Sequence, residues 1–196
     1  MKKIFAILAL ATTASAFAQS GVSFEFERER GTTGSNTMSN TVKVAPYVAL
    51  DNGIKLDLQF GGSRDDGTVS GNNNALENTV EARAQKMYSV APGLKLGARV
   101  GVGQMINGTN SAGKTVDFSY YTVEPKAEYA ITDKLSALAS FRFRNGFSDS
   151  DNYLTRTYKA GFGFAATKKD VVEVKYFEKR GDSNTNGVEL GYTRSF

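Results

Sequence analysis

The sequence predicts an all-β fold: a transmembrane antiparallel up-and-down β-barrel of about ten strands. Three observations predict it. Apolar and polar residues alternate with a period of two through most of the chain, so each segment has an oily face and a polar face. Tight turns recur near residues 52, 92, 133 and 169. That spacing fits one hairpin of roughly 9–11-residue strands plus one long loop. Beyond the amino-terminal segment no apolar run reaches about 18 residues, the length a spanning helix needs, whereas a barrel shows lipid only alternate residues.

Residues 1–18 read as a secretory signal and 19–196 as a single barrel domain. Lys2 and Lys3 precede the apolar run Ile4 to Ala11, and Ala16-Phe17-Ala18 supplies small residues at a cleavage site. In the first strand Val22, Phe24 and Phe26 alternate with Ser23, Glu25, Glu27 and Glu29. After the polar stretch Gly31 to Met38, Val42, Val44, Val48 and Leu50 form the apolar parity of the second. Asp51-Asn52-Gly53 is a hairpin turn, Asn-Gly supplying positive φ. Ile54, Leu56, Leu58 and Phe60 make the third strand, and Arg64 to Leu76 a long loop. Val80, Ala82, Ala84, Tyr88 and Val90 mark the fourth, where Lys86 breaks the pattern and suggests a bulge. Leu94, Leu96, Ala98, Val100 and Val102 follow Ala91-Pro92-Gly93 as the fifth, before a polar loop from Ile106 to Thr115. Val116 to Ile131 is a long sixth strand whose apolar parity shifts between Tyr120 and Val123, suggesting a second bulge. Leu135 to Phe143, Tyr158 to Ala166 and Val172 to Tyr176 give three more.

The last ten residues close the sheet. Val188, Leu190, Tyr192 and Phe196 share one parity; Glu189, Gly191, Thr193 and Ser195 share the other. Four tight connections alternate with five long polar ones, the arrangement of an outer-membrane barrel with both termini periplasmic. Strand boundaries leave eight or twelve strands open. A secreted soluble β-sandwich also alternates, but one parity here is charged throughout and would not enter a dry core. Pro46 and Pro125 each remove a ladder donor shortly before a turn.

Composition excludes several functions. There is no cysteine and no histidine, which removes disulfides, thiolate metal sites and the commonest general base. The enzymatic barrels (omptin proteases, the palmitoyl transferase, the lipid A deacylase, the outer-membrane phospholipase) use histidine, so no catalytic residue is assigned. The formal charge of +4 includes Lys2 and Lys3, too weak an imbalance for nucleic acid. Gly108 to Thr115 matches the phosphate-loop pattern, but the residues that follow read as strand, not helix, so no nucleotide site is assigned. Arg64 to Gly67 and Ser148 to Asp151 offer oxygens without a full calcium-loop spacing. Metal sites and cofactors are not expected.

The inward parity carries the functional signal. Lys95, Arg99, Arg142, Arg144 and Lys159, on strands five, seven and eight, form an expected basic wall. Glu25, Glu27, Glu29, Glu173 and Glu189, on the first strand and the last two, form an acidic wall. Facing across a water-filled lumen, they would set up a transverse field that steers charged solutes. If instead the charges pair, they fill the interior, as in eight-stranded barrels.

Glu25-Phe26-Glu27-Arg28-Glu29, the Pro46-Tyr47-Val48 hairpin, the inward arginines and the aromatic end from Tyr192 to Phe196 resemble the small monomeric porins for acidic oligosaccharides, with the oligogalacturonate- and sialic-acid-specific porins as type cases. The resemblance implies that Tyr192 and Phe196 are read by the barrel-assembly machinery. It also implies twelve strands and a predominantly basic lumen, from which this chain departs in its count of ten, its acidic wall and Arg194 at the third position from the end. The expected function is a small passive channel for small polar or anionic solutes such as short oligosaccharides. The alternative is a plugged barrel acting through its loops. Expected partners are outer-membrane lipid and lipopolysaccharide, the assembly machinery and small anionic solutes.

Overall fold

The computed structural model describes residues 19–32, 38–65, 77–109, 115–148, 153–181 and 184–196. The signal segment lies outside these residues, as do most of the phosphate-loop-like and calcium-loop-like stretches. Ten strands follow in order: β1 Gln19–Gly31, β2 Met38–Ala49, β3 Ile54–Asp65, β4 Glu77–Ala91, β5 Leu94–Thr109, β6 Thr115–Ala130, β7 Leu135–Gly146, β8 Leu154–Ala165, β9 Asp170–Gly181 and β10 Thr185–Ser195. Each pairs antiparallel with its sequence neighbours, and β10 returns to β1, with Gly21 opposite Ser195 and Gly31 opposite Thr185. Closure leaves no strand edge unpaired in lipid.

Local chemistry sets the four tight turns. Gly53 and Gly93 take φ of +79° and +76°, a region open to glycine without steric cost. The other two turns are pinned by threonine hydroxyls. Thr132 Oγ1 accepts from the amides of Lys134 and Leu135, and Thr167 Oγ1 from those of Lys169 and Asp170. Each of the two prolines opens a ladder on one side only. The β2–β3 register skips Ala45 and Pro46, and the β6–β7 register skips Glu124 and Pro125. On their other sides Pro46 still faces Val22 and Pro125 faces Ala98.

Both expected bulges are absent where the sequence suggested them. Lys86 stays in register, between Ile54 and Ala98, and lies 5.2 Å over the Tyr88 ring. The β4–β5 shift comes between Ser89 and Ala91. β6 pairs regularly with β5 from Tyr129 to Phe118, and that ladder's irregularity falls between Met105 and Gly108. The parity shift in β6 arises because Phe118 and Tyr120 turn inward, where they pack with Met105 and Tyr153. β5 also runs past the expected loop boundary at Ile106, as far as Thr109, because an antiparallel ladder needs only a partner strand, not lipid.

The outer surface is apolar. Phe162, Tyr176, Val102 and Leu190 stand about half exposed, which suits hydrocarbon and would be costly in water. Outward rings also pair across strands, Phe24 with Tyr192 and Phe141 with Tyr158. The most deeply buried side chains are largely polar or charged, among them Gln59, Glu81 and Glu189. The core of this protein is therefore its lumen.

Candidate functional site

Burying a charge is tolerated only when it is paired and hydrogen-bonded, and the lumen meets that condition through two clusters. The first lies on β1, β2, β8, β9 and β10. Glu27 stands directly opposite Glu189, and carboxylate oxygens of Glu25, Glu27 and Glu189 lie within 4.8 Å of one another. Lys43 Nζ sits 2.5 Å from Glu27 and 3.9 Å from Glu25. Lys159 Nζ donates to Glu27 at 3.1 Å and to Glu189. Lys175 donates to Glu189 at 2.9 Å and to Glu173, and Gln59 to Glu25 at 3.3 Å. Three ammonium groups thus neutralise these carboxylates.

The second cluster is centred on Glu81 of β4. Its carboxylate accepts from Arg142 at 2.5 Å, Thr122 at 2.6 Å, Tyr120 at 3.2 Å and Arg144 at 3.4 Å. The Arg144 guanidinium stacks 4.4 Å over the Tyr120 ring, and its Nε is buried without a hydrogen-bond partner. Gly101 admits the cluster, since a Cβ there would sit 2.6 Å from a Glu81 carboxylate oxygen.

Toward the turn end Arg83 binds Asp57 at 2.5 Å, Arg99 lies 3.2 Å from Glu124, and Lys126 donates to Gln85 at 3.1 Å. Lys95 is exposed at the rim, 3.9 Å from Glu128. A cavity of about 160 Å³ occupies this half. Toward the loop end Lys179 binds Glu29 at 2.8 Å, and a cavity of about 80 Å³ is walled by Thr41, Thr79, Thr155, Thr157 and Tyr153. Arg142 and Lys159 line both cavities and so mark the boundary between them.

The expected separation into facing acidic and basic walls is therefore corrected. Lys159 is bonded to Glu27 and Glu189, two members of the acidic set. Arg142 and Arg144 converge on Glu81, and Arg99 on Glu124 of its neighbouring strand. Attraction at bonding distance outweighs any arrangement that keeps like charges together. Sequence reasoning missed Gln59, Thr122, Tyr120 and Lys179. Lys179 was legible on the inward parity that runs through Glu173, Lys175 and Phe177. Tyr120 and Thr122 were hidden by the aromatic run that looked like a change of parity.

At the turn end, Tyr192 and Arg194 converge on Asp170. The Tyr192 hydroxyl donates at 2.7 Å and Arg194 Nη1 at 3.3 Å. Hydrogen bonds from Thr167, then from Tyr192, hold the Asp170 carboxyl below its ordinary range, with the Arg194 charge adding to them. Phe196 is 64% exposed, and its amide donates to the Ser20 carbonyl at 2.9 Å.

A closed ten-strand barrel with a polar interior, an apolar exterior and an aromatic end defines a class, the bacterial outer-membrane barrels. The outer membrane protein beta-barrel domain family matches residues 4–165, and the chain belongs to that family. No curated protein matches it by sequence. Three solved structures share the fold at low identity. The β domain of the Bordetella autotransporter BrkA is 11% identical with a TM-score of 0.59, covering 91% of this chain and 99% of its own. An outer-membrane channel of Pseudomonas putida F1 is 10% identical with a TM-score of 0.54, covering 92% and 96%. The NanC porin is 10% identical with a TM-score of 0.50, covering 92% and 100%. The protein is a barrel of the bacterial outer membrane.

Proposed function

We propose that this barrel is a non-enzymatic, narrow passive channel for small polar or anionic solutes, closed at mid-height by ion pairs in its resting state. One observation carries the reading: the two luminal cavities abut on the side chains of Arg142 and Lys159. Among the described residues, no backbone element lies between them. A partition made of side chains can open by a change of rotamer, without unfolding a strand. Transit of a short oligosaccharide requires these pairs to part, whereas an ion or a small carboxylate needs only a local rearrangement. Arg99, Arg142, Arg144 and Lys159 attract the anion, and Arg144, held by bonds of 3.4 Å and with a free Nε, is the guanidinium most available to it.

A second reading is a plugged barrel acting through its loops, favoured by the pairing of Glu81 with four donors at 1% exposure. Planar-bilayer recording separates the two. The channel reading expects small conductance steps with anion preference, and larger steps for Lys159→Ala. An absence of steps at every salt concentration establishes the plugged barrel. Anion preference that survives Arg142→Ala with Arg144→Ala removes the assigned residues from the site.

A further inference from the structure

The pairing of luminal charges leaves two ammonium groups over. Lys55 of β3 and Lys126 of β6 both line the turn-end cavity of about 160 Å³. Each carboxylate on the same lining already lies within 3.9 Å of another cation, from Asp57 on Arg83 and Glu124 on Arg99 to Glu173 and Glu189 on Lys175. Lys55 lies instead over the Tyr47 ring, 3.7 Å from its centroid, and Lys126 donates to Gln85 at 3.1 Å. Among the described residues neither forms an ion pair with a carboxylate.

Gln85 is where the pairing breaks. Register places Lys55 directly opposite it on β3 and Arg99 directly opposite it on β5, with Glu124 opposite Arg99. This row across four strands reads Lys, Gln, Arg, Glu. In the next inward row Asp57 stands opposite Arg83 and binds it. Lys126 comes to Gln85 from the far side of β5. It stands opposite Gly97, which has no side chain, and so its ammonium reaches across that strand to the Gln85 amide. Three cations therefore surround a neutral side chain where a carboxylate would complete the pattern. Charges inside a protein are costly unless they are paired, and the cavity beside Gln85 has room for a counter-charge.

The donors present indicate what that counter-charge is. Gln85 Oε1 is used by Lys126, which leaves its NH2 group to donate. A monocarboxylate would neutralise one ammonium. A phosphate group carries close to two charges and several strong acceptor oxygens, enough for both ammonium groups and the amide together. The entrance is at the turn end. After Gln19, every undescribed segment lies at the other end of the barrel.

We propose that the turn-end vestibule is a binding site for a compact divalent oxyanion, a free phosphate or a small phosphomonoester, held by Lys55, Lys126 and the Gln85 amide with Arg99 at its edge. The inference deepens the channel reading, on which it rests for solvent access to the vestibule, and it names a solute class other than oligosaccharides.

The test is phosphorus NMR of inorganic phosphate and, separately, of glycerol phosphate, titrated with the full barrel in detergent at about pH 8, where both are chiefly dianions. Line broadening that saturates with barrel is expected for at least one of them, and binding by only one names the source. Displacement by acetate should need about a tenfold excess, the worth of one charge-assisted contact. Gln85→Glu supplies the missing charge from within the chain, so it should abolish the broadening and raise the urea midpoint of the barrel. Lys126→Gln should weaken binding about tenfold. Lys168→Gln with Lys169→Gln, at an exposed turn, should leave it unchanged. The proposal is overturned by an absence of broadening, by displacement with equimolar acetate, by binding that survives Gln85→Glu, or by an equal loss in the turn variant. Should Lys126→Gln fail to fold, Gln85→Glu decides, because it adds a partner and removes none. Phosphate binding without conductance steps keeps this site and removes the channel; steps without phosphate binding keep the channel and remove this site.

Discussion

The two luminal clusters are built from the same inward parity yet solve the burial of charge in opposite ways. Around Glu27 and Glu189, the glutamates Glu25, Glu27, Glu173 and Glu189 share Lys43, Lys159 and Lys175. Around Glu81, two arginines share one carboxylate, helped by two hydroxyls. The first cluster is left with an excess acid and the second with an excess base. The lesson is that the charge asymmetry of the strands survives only as a small remainder after pairing. The lysine-based cluster is redundant, since Glu27 and Glu189 each have two ammonium partners. The arginine-based cluster depends on a single acceptor.

That contrast can be broken most forcefully at Glu81. Glu81→Ala leaves two buried guanidiniums without their shared acceptor, and breaking a buried pair in this way costs about 3–5 kcal/mol. Lys159→Met should cost less, about 1–3 kcal/mol, because Lys43 and Lys175 still hold Glu27 and Glu189. Urea unfolding in lipid vesicles measures both, and equal losses would mean that redundancy does not protect the lysine cluster. A packing change sharpens the picture of the arginine side. In Gly103→Ala a Cβ would meet the Tyr120 ring at 2.5 Å, moving the aromatic that carries Arg144, with an overpacking cost of about 1–3 kcal/mol and a changed Tyr120 environment visible by NMR.

The smallest effect is expected away from both clusters, at Asp170. Its folded carboxyl is depressed relative to the unfolded chain. Its contribution is therefore present above the ordinary carboxylate range and is lost as pH falls through the depressed value. Amide exchange at Thr193 and Arg194 should accelerate in that acidic window, and Asp170→Asn should remove the pH dependence.

Much of the fold was legible in the sequence. Period-two alternation fixed which residues face lipid, and the Asn-Gly and Pro-Gly turns with the two threonine turns fixed the hairpins. Parity fails where both faces carry aromatics, as at Tyr120 and Tyr121, because a ring suits lipid or a packed lumen equally well. It also placed Lys86 at a bulge, where a rim lysine instead lies over Tyr88 with its charge near head groups.

The sequence by itself determined the barrel and the inward placement of its charges, since each follows from short-range alternation and turn chemistry, while closure of the sheet settled ten strands over eight or twelve. Only the tertiary structure decided who pairs with whom. Lys159 meets Glu27 across 132 residues and Arg142 meets Glu81 across 61. Those partners are chosen by closure of the sheet, its register and the reach of each side chain across a narrow lumen, none of which is encoded in any one strand.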